Sequence, residues 1–267
     1  MAEGNGPQPV SITLSVEELL VVLNTLEARA IPGLDADAWR GLNAEQQNLA
    51  LSVASRALEA RGLAEVDQYG ALLLHRALLS GVGACAYPQR TAVIEHWPPG
   101  AADPQRFSAH VRDGDAVVHT VDGGLHTFAL LAGDAELVDH LGAACLWSNN
   151  AAGQSLEITM PRSQFTQVCD ASAMGSEAEA LQVLAKTTKP TEAGTALVHT
   201  LASGPRISIV DLALPDAGQS WQQQSFTLID DGERSWLAAP VTADPDSPIK
   251  ARTASRADIG ATLTRGL

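Results

Sequence analysis

The sequence predicts an α+β fold written twice, and three observations point to it. Short alternating openings run into amphipathic helices at residues 11–19 and again at 157–165. An arginine opens an extended run in each half, at Arg90 and Arg206, and an Asp-Gly pair follows between alternating arms, Asp113-Gly114 and Asp231-Gly232. A short helix then closes each half, at 135–141 and 257–263. The order of segments matches although few residues are identical, so the duplication is one of plan rather than of side chains.

Along the first half, Ser15 with Glu18 three residues on forms a capping box. The helix behind it aligns Val16, Leu19, Leu20, Leu23 and Leu26 at spacings of three and four. It is expected to end before Ile31-Pro32-Gly33. A second helix begins near Asn43, with Leu49, Val53, Ala54, Ala57 and Leu58 as its buried stripe, and stops at Arg61-Gly62. Residues 63–66, a turn at 67–70 and an apolar helix from Ala71 to Leu79 containing His75 then give a winged-helix-like element. Strands follow at 90–97, 107–112, 115–121 and 125–131, the middle pair joined by a tight turn at Asp113-Gly114.

Residues 148–154 are small, polar and glycine-containing, and read as the linker between an N-terminal half, 1–147, and a C-terminal half, 155–267, folded together as one compact unit. The second half repeats the register in shorter form. Helices are expected at 163–174, after Ser176, and at 195–201. Strands are expected at 207–212, 221–229 and 234–238. An Asp- and Pro-rich loop at 244–248 leads through 249–252 to the last helix.

The chain of 267 residues is 45% hydrophobic and 18% charged, which places it among folded proteins with a sizeable core. Its formal net charge is −14, against nucleic acid and against an anionic membrane surface. The excess is concentrated early, −10 over residues 1–150 and −4 over the remainder. Three separated cysteines imply no disulfide framework and fit a reducing cytosol. The N-terminus lacks the basic-then-apolar pattern of a signal peptide, and no apolar run reaches the length of a membrane span, so a cytoplasmic protein is expected.

Catalytic chemistry finds little footing. Gly81-Val82-Gly83-Ala84-Cys85-Ala86 matches a loose dinucleotide pattern but lacks the strand before it and the helix after it. There is no G-x-S-x-G elbow or H-E-x-x-H pair, and the acidic pairs Glu17-Glu18 and Asp230-Asp231 suit a helix start and a turn. His96, His110, His119, His126 and His140 gather in the first half's sheet region. Hairpin pairing puts His110 opposite Val117 and His119 diagonal to it on one face, but no cysteine or carboxylate stands at ligand spacing, so no metal and no cofactor is expected. Trp97 ends one strand and Trp221 begins another, each bordering a long loop. Aromatics placed so would anchor a protein partner.

The opening Ile-Thr-Leu-Ser-Val-Glu-Glu-Leu-Leu at 12–20, Ala-Leu-Glu-Ala-Arg-Gly-Leu at 57–63, the strand–loop–hairpin sheet and the second copy of the plan resemble the EspG family of type VII secretion-associated cytosolic chaperones, over residues 10–267. The resemblance implies a pseudo-twofold arrangement, with a central antiparallel sheet flanked by helical bundles. It also implies that the sheet and the C-terminal helical region hold the hydrophobic tip of a helical secreted substrate. The expectation is therefore a non-catalytic protein-binding adapter or chaperone. The alternative is a winged-helix-containing regulatory protein.

Overall fold

A computed structural model describes residues 10–32, 43–145, 154–186, 191–215 and 221–266. The expected frayed N-terminus, linker residues 148–153, Pro190 and the loop residues 216–220 lie outside them. The chain divides into two compact units, one of residues 1–93 with 107–137, the other of 94–106 with 138–266. The architecture is α+β, and every strand pair whose register is described is antiparallel.

The first unit begins with β1 (Val10–Ser15) and α1 (Val16–Thr25). The predicted capping box joins them: Ser15 Oγ accepts from the Glu18 amide at 3.2 Å, and the Ser15 amide donates to Glu18 Oε2 at 2.9 Å. After α2 (Ala44–Ala60), Arg61 donates to both Glu18 oxygens at 2.8 Å and to the Thr13 carbonyl at 2.7 Å. One guanidinium thus ties the end of α2 to the start of α1 and guards the outer side of β1. Only Ala54 and Leu58 of α2 are fully buried; Leu49 and Val53, expected in the stripe, are 65% and 51% exposed.

The apolar run after the turn is not the expected helix. Leu72–Leu74 forms β3, paired with β2 (Ala64–Val66). The cause lies in the turn, where Asp67 Oδ1 accepts from the Tyr69 and Ala71 amides at 2.8 Å and folds the chain back on itself. His75 is the N-cap of α3 (Arg76–Ala86), its Nδ1 accepting from the Ala77 amide at 3.3 Å. Then come β4 (Arg90–Trp97), β5 (Gln105–Arg112), β6 (Asp115–Asp122), β7 (Leu125–Leu131) and α4 (Asp134–Ala144), with β4, β5 and α4 crossing the division between units. The two-residue turn is as predicted, Arg112 pairing Asp115, with φ of 52° at Asp113 and 89° at Gly114. Strand order is β1-β7-β6-β5-β4. Helices α1–α3 pack over one face through Leu14, Leu19, Leu78, Val82, Val117 and Phe128.

The second unit holds β8 (Glu157–Met160), α5 (Arg162–Ala173), α6 (Glu177–Ala185), α7 (Glu192–Ala202), β9 (Arg206–Pro215), β10 (Trp221–Asp230), β11 (Ser235–Pro240), β12 (Ile249–Thr253) and α8 (Arg256–Gly266). Its strand order runs β9-β10-β11-β12-β8. Apart from the β2–β3 hairpin, the element order and the strand order repeat those of the first half, with β8 beside β12 as β1 is beside β7. Helices α5–α7 cover one face through Val168, Leu184, Leu197 and the fully buried Trp236. The opposite parity, including Val210, Leu212, Phe226, Leu228 and Leu237, is also buried, and α8 packs there against β9. The second Asp-Gly pair sits in a four-residue turn, Asp230 pairing Ser235, because Asp231 Oδ1 accepts from the Glu233 and Arg234 amides. β12 was not anticipated; five alternating residues with two charges give a weak strand signal, and the pairing with β11 and β8 supplies the rest.

Candidate functional site

Trp97 is the last residue of β4 and is half-buried, on the same face of its strand as Glu95, which pairs with Arg106 at 2.7 Å. Trp221 is the first residue of β10, its backbone paired with Pro215. Its side chain lies outside the described part of the structure. The glycines Gly81 and Gly83 are buried within α3, where no loop is available to cradle phosphate. Burial works against the thiolate form at each cysteine. Burial pushes the Cys85 thiol well up. Burial also raises Cys145 to about 12, partly opposed by a hydrogen bond with Ser208, and raises Cys169 to about 12, with Asp170 adding to it.

The histidines form a connected row under the helices of the first unit. Thr91 Oγ1 and His110 Nδ1 are 3.1 Å apart, His110 Nε2 and Ser108 Oγ 3.0 Å, Ser108 Oγ and His119 Nδ1 3.4 Å, and His119 Nε2 and His126 Nδ1 3.0 Å. The predicted pairing of His110 with Val117 holds, and the links through Thr91, Ser108 and His126 extend it across four adjacent strands. All five side chains are buried, and His119 stacks on Phe128 with ring centroids 4.6 Å apart. Burial, then the neighbouring His119, pulls His110 down to about 3. Burial, then His126, pulls His119 down to about 4, and burial lowers His126. At neutral pH the rings are uncharged, each able to donate from one nitrogen and accept at the other, so the row is self-consistent. Among the described residues no group of three or more His, Cys, Asp and Glu is arranged to hold a metal ion. The row's chemistry is structural polarity inside a core. In the second unit, buried His96 bonds Ser208 at 2.9 Å, and burial with Arg206 lowers it too.

A groove of ≈ 420 Å³ opens on the second unit. Gln223–Phe226 of β10, Leu237, Ala239 and Pro240 of β11, the 241–245 segment and Thr262 of α8 line it. Its apolar floor comes from Phe226 and Leu237, and its rim is polar, with Arg162 and Asp244 on it. Nothing in the residue string announced this groove, because it arises where two strands part. No nucleophile–base pair lines it. A concave, mixed surface of this kind is suited to binding.

The described elements thus define an α+β scaffold with repeated strand order and a groove lined by sheet and helix residues. No family profile matches the sequence, and no curated protein matches it. Among solved structures, the chain is similar to the Mycobacterium tuberculosis type VII secretion system chaperone EspG5, seen in complex with the PE25-PPE41 dimer. The two are 12% identical, with a TM-score of 0.64 over 96% of this chain and 95% of that one. The chain has the EspG fold. No described helix is long and apolar enough to cross a membrane.

Proposed function

We propose that the protein is a non-catalytic adapter or chaperone that binds another protein in the cytoplasm, and that its partner is a helical secretion substrate. The observation that carries this reading is the likeness to EspG5 along nearly the whole of both chains. The groove beside α8 agrees with it, since it places a polar-rimmed apolar floor on the sheet and C-terminal helical region. The two halves, 1–147 and 155–267, act as one scaffold in this reading, and Trp97 and Trp221 serve as aromatic anchors beside their loops. The regulatory alternative gains nothing from the winged element, whose exposed Glu59 and Glu65 offer no face for phosphate.

Co-expression with each small helical protein encoded beside its gene tests the reading. One of them is expected to co-elute with the chain in size-exclusion chromatography, and Trp97→Ala or Trp221→Ala to weaken that complex by about tenfold. A chain that elutes alone in every combination overturns it.

A further inference from the structure

We infer that the free edge of β10 is a docking site for an extended segment of the partner, added to the sheet as an extra strand. The inference rests on the protein-binding reading above and specifies how part of the partner is held.

β10 pairs with β9 along its whole length, Trp221 with Pro215 through Asp230 with Arg206. On its other side it pairs with β11 only from Thr227 to Asp230. The Asp231 amide donates to the Arg234 carbonyl, which makes 231–234, 229–236 and 227–238 the hydrogen-bonded pairs of this ladder. The next such pair would set Ser225 against Pro240, and proline has no N–H to give. β11 instead continues along β12, Pro240 pairing Ile249, and the Val241 amide turns away to the Pro248 carbonyl. Ser225 therefore has no amide donor opposite its carbonyl. Gln223, two residues earlier, directs both its N–H and its C=O toward the same vacated side. Among the described residues no strand pairs there, and Gln222, Gln223, Gln224 and Ser225 are all exposed.

The groove is this notch. Its lining is the unpaired stretch of β10, the departing end of β11 and the segment beyond it. The floor offers Phe226 and Leu237 to an inserted apolar side chain, and the edge offers backbone hydrogen bonds. Only an extended segment uses both, because a helix spends its backbone groups internally. The two outermost strands differ: β1 has its Thr13 carbonyl taken by Arg61, and β8 is four residues long, with Glu157 paired to Lys250 at 2.8 Å and Pro161 after its end. The stretch Gln222–Phe226 carries no charge and no proline, so neither of those two devices blunts this edge.

Random peptides of about ten residues, displayed on phage and selected on the full chain, provide the probe. The selected peptides, synthesised, are expected to slow amide exchange at Gln223 and Ser225 by about tenfold or more. Gln223→Pro removes an amide that faces the notch while leaving the β9 ladder intact, and is expected to weaken these peptides about tenfold. Ala239→Trp, which fills the groove without touching the β10 backbone, should do the same. The inference is overturned if no peptide is selected, if selected peptides bind Gln223→Pro unchanged and protect amides elsewhere, or if the free chain is a dimer that Gln223→Pro dissociates. Failure of the chaperone reading shows separately, as loss of every co-expressed complex. A complex that forms and is indifferent to Gln223→Pro and Ala239→Trp sinks only the strand-addition inference.

Discussion

Strands β6 and β11 occupy the same place in the two halves yet solve the helix-facing core in opposite ways. In the first unit β6 brings His119, set between Ser108 on one neighbour and Phe128 on the other, and a polar row crosses the sheet. In the second unit β11 brings Trp236, set between Ile229 and Thr253, with its indole N–H donated to Thr200 Oγ1 at 3.3 Å. One topology therefore tolerates either filling, provided each buried polar atom has a partner. The filling decides which conditions each unit can withstand.

Acid should expose this difference most strongly. His110 and His119 stay neutral in the native state down to about 3 and about 4, whereas in the unfolded chain histidines titrate near their ordinary value. Between those limits the unfolded chain binds more protons, so stability is intact above pH about 6.5 and is lost as pH falls, by about 1.4 kcal/mol per pH unit for each histidine. Unfolding free energies from urea titrations should be lower at pH 5 than at pH 7 by about 3–4 kcal/mol in total, and amide exchange should place the loss in β5–β7. His119→Phe should flatten that acid limb. An unchanged limb would mean that the row does not govern it.

Trp236→Ala comes next. It empties the largest fully buried side chain among the described residues of the second unit and takes the indole donor from Thr200 Oγ1, for an expected loss of about 3–5 kcal/mol at pH 7. Its cost should be nearly independent of pH between 5 and 7, unlike that of the histidine row. A steep pH dependence in this variant would erase the contrast between the two units.

Gly81 of α3 and Gly194 of α7 each face a neighbouring side chain, and here the two halves differ by distance. A Cβ on Gly194 of α7 would lie 2.6 Å from Leu184 Cδ2 and 3.1 Å from Ile158 Cδ1, both buried. Gly194→Ala should therefore cost about 1–3 kcal/mol through overpacking, as a shift in thermal midpoint.

What the sequence revealed and what it concealed follow from the range of the interactions. The capping box at Ser15, the turn at Asp113-Gly114 and the strands at 90–97 and 125–131 depend on near neighbours, and they stand where the residues put them. The run at Leu72–Leu74 had the composition of a helix, and the Asp67 side chain, bonding its own turn, made it a strand instead. Half of the histidine row could be read from hairpin register, because His110 and His119 lie on adjacent strands of one hairpin. Thr91 and His126 joined it only through strands whose neighbours the local pattern does not name. The groove was hidden for a related reason. Pro240 is visible in the sequence, but its effect depends on the β10–β11 register, which would bring it opposite Ser225 if the ladder went on.

Gly81 is the counterpart of Gly194 on α3 and gives the smallest expected effect. A Cβ there would stand 3.3 Å from Leu130 Cδ1 and 3.8 Å from Phe128 Cβ, a tight approach that a methyl at the end of a flexible, half-buried side chain can relieve by a small shift. Against that squeeze stands the gain from replacing glycine inside a helix, about 1 kcal/mol. The two terms nearly cancel, so Gly81→Ala should move stability by less than about 1 kcal/mol. Measured beside Gly194→Ala in the same urea titration, it separates two causes that the shared topology would confound. If both substitutions cost the same, helix–sheet spacing is set alike in the two units and the 2.6 Å contact is relieved by motion of Leu184. If only Gly194→Ala is costly, α7 sits closer to its neighbours than α3 does. The apolar core built round Trp236 then depends on that closer approach, and the histidine row lies beneath a helix with room to adjust.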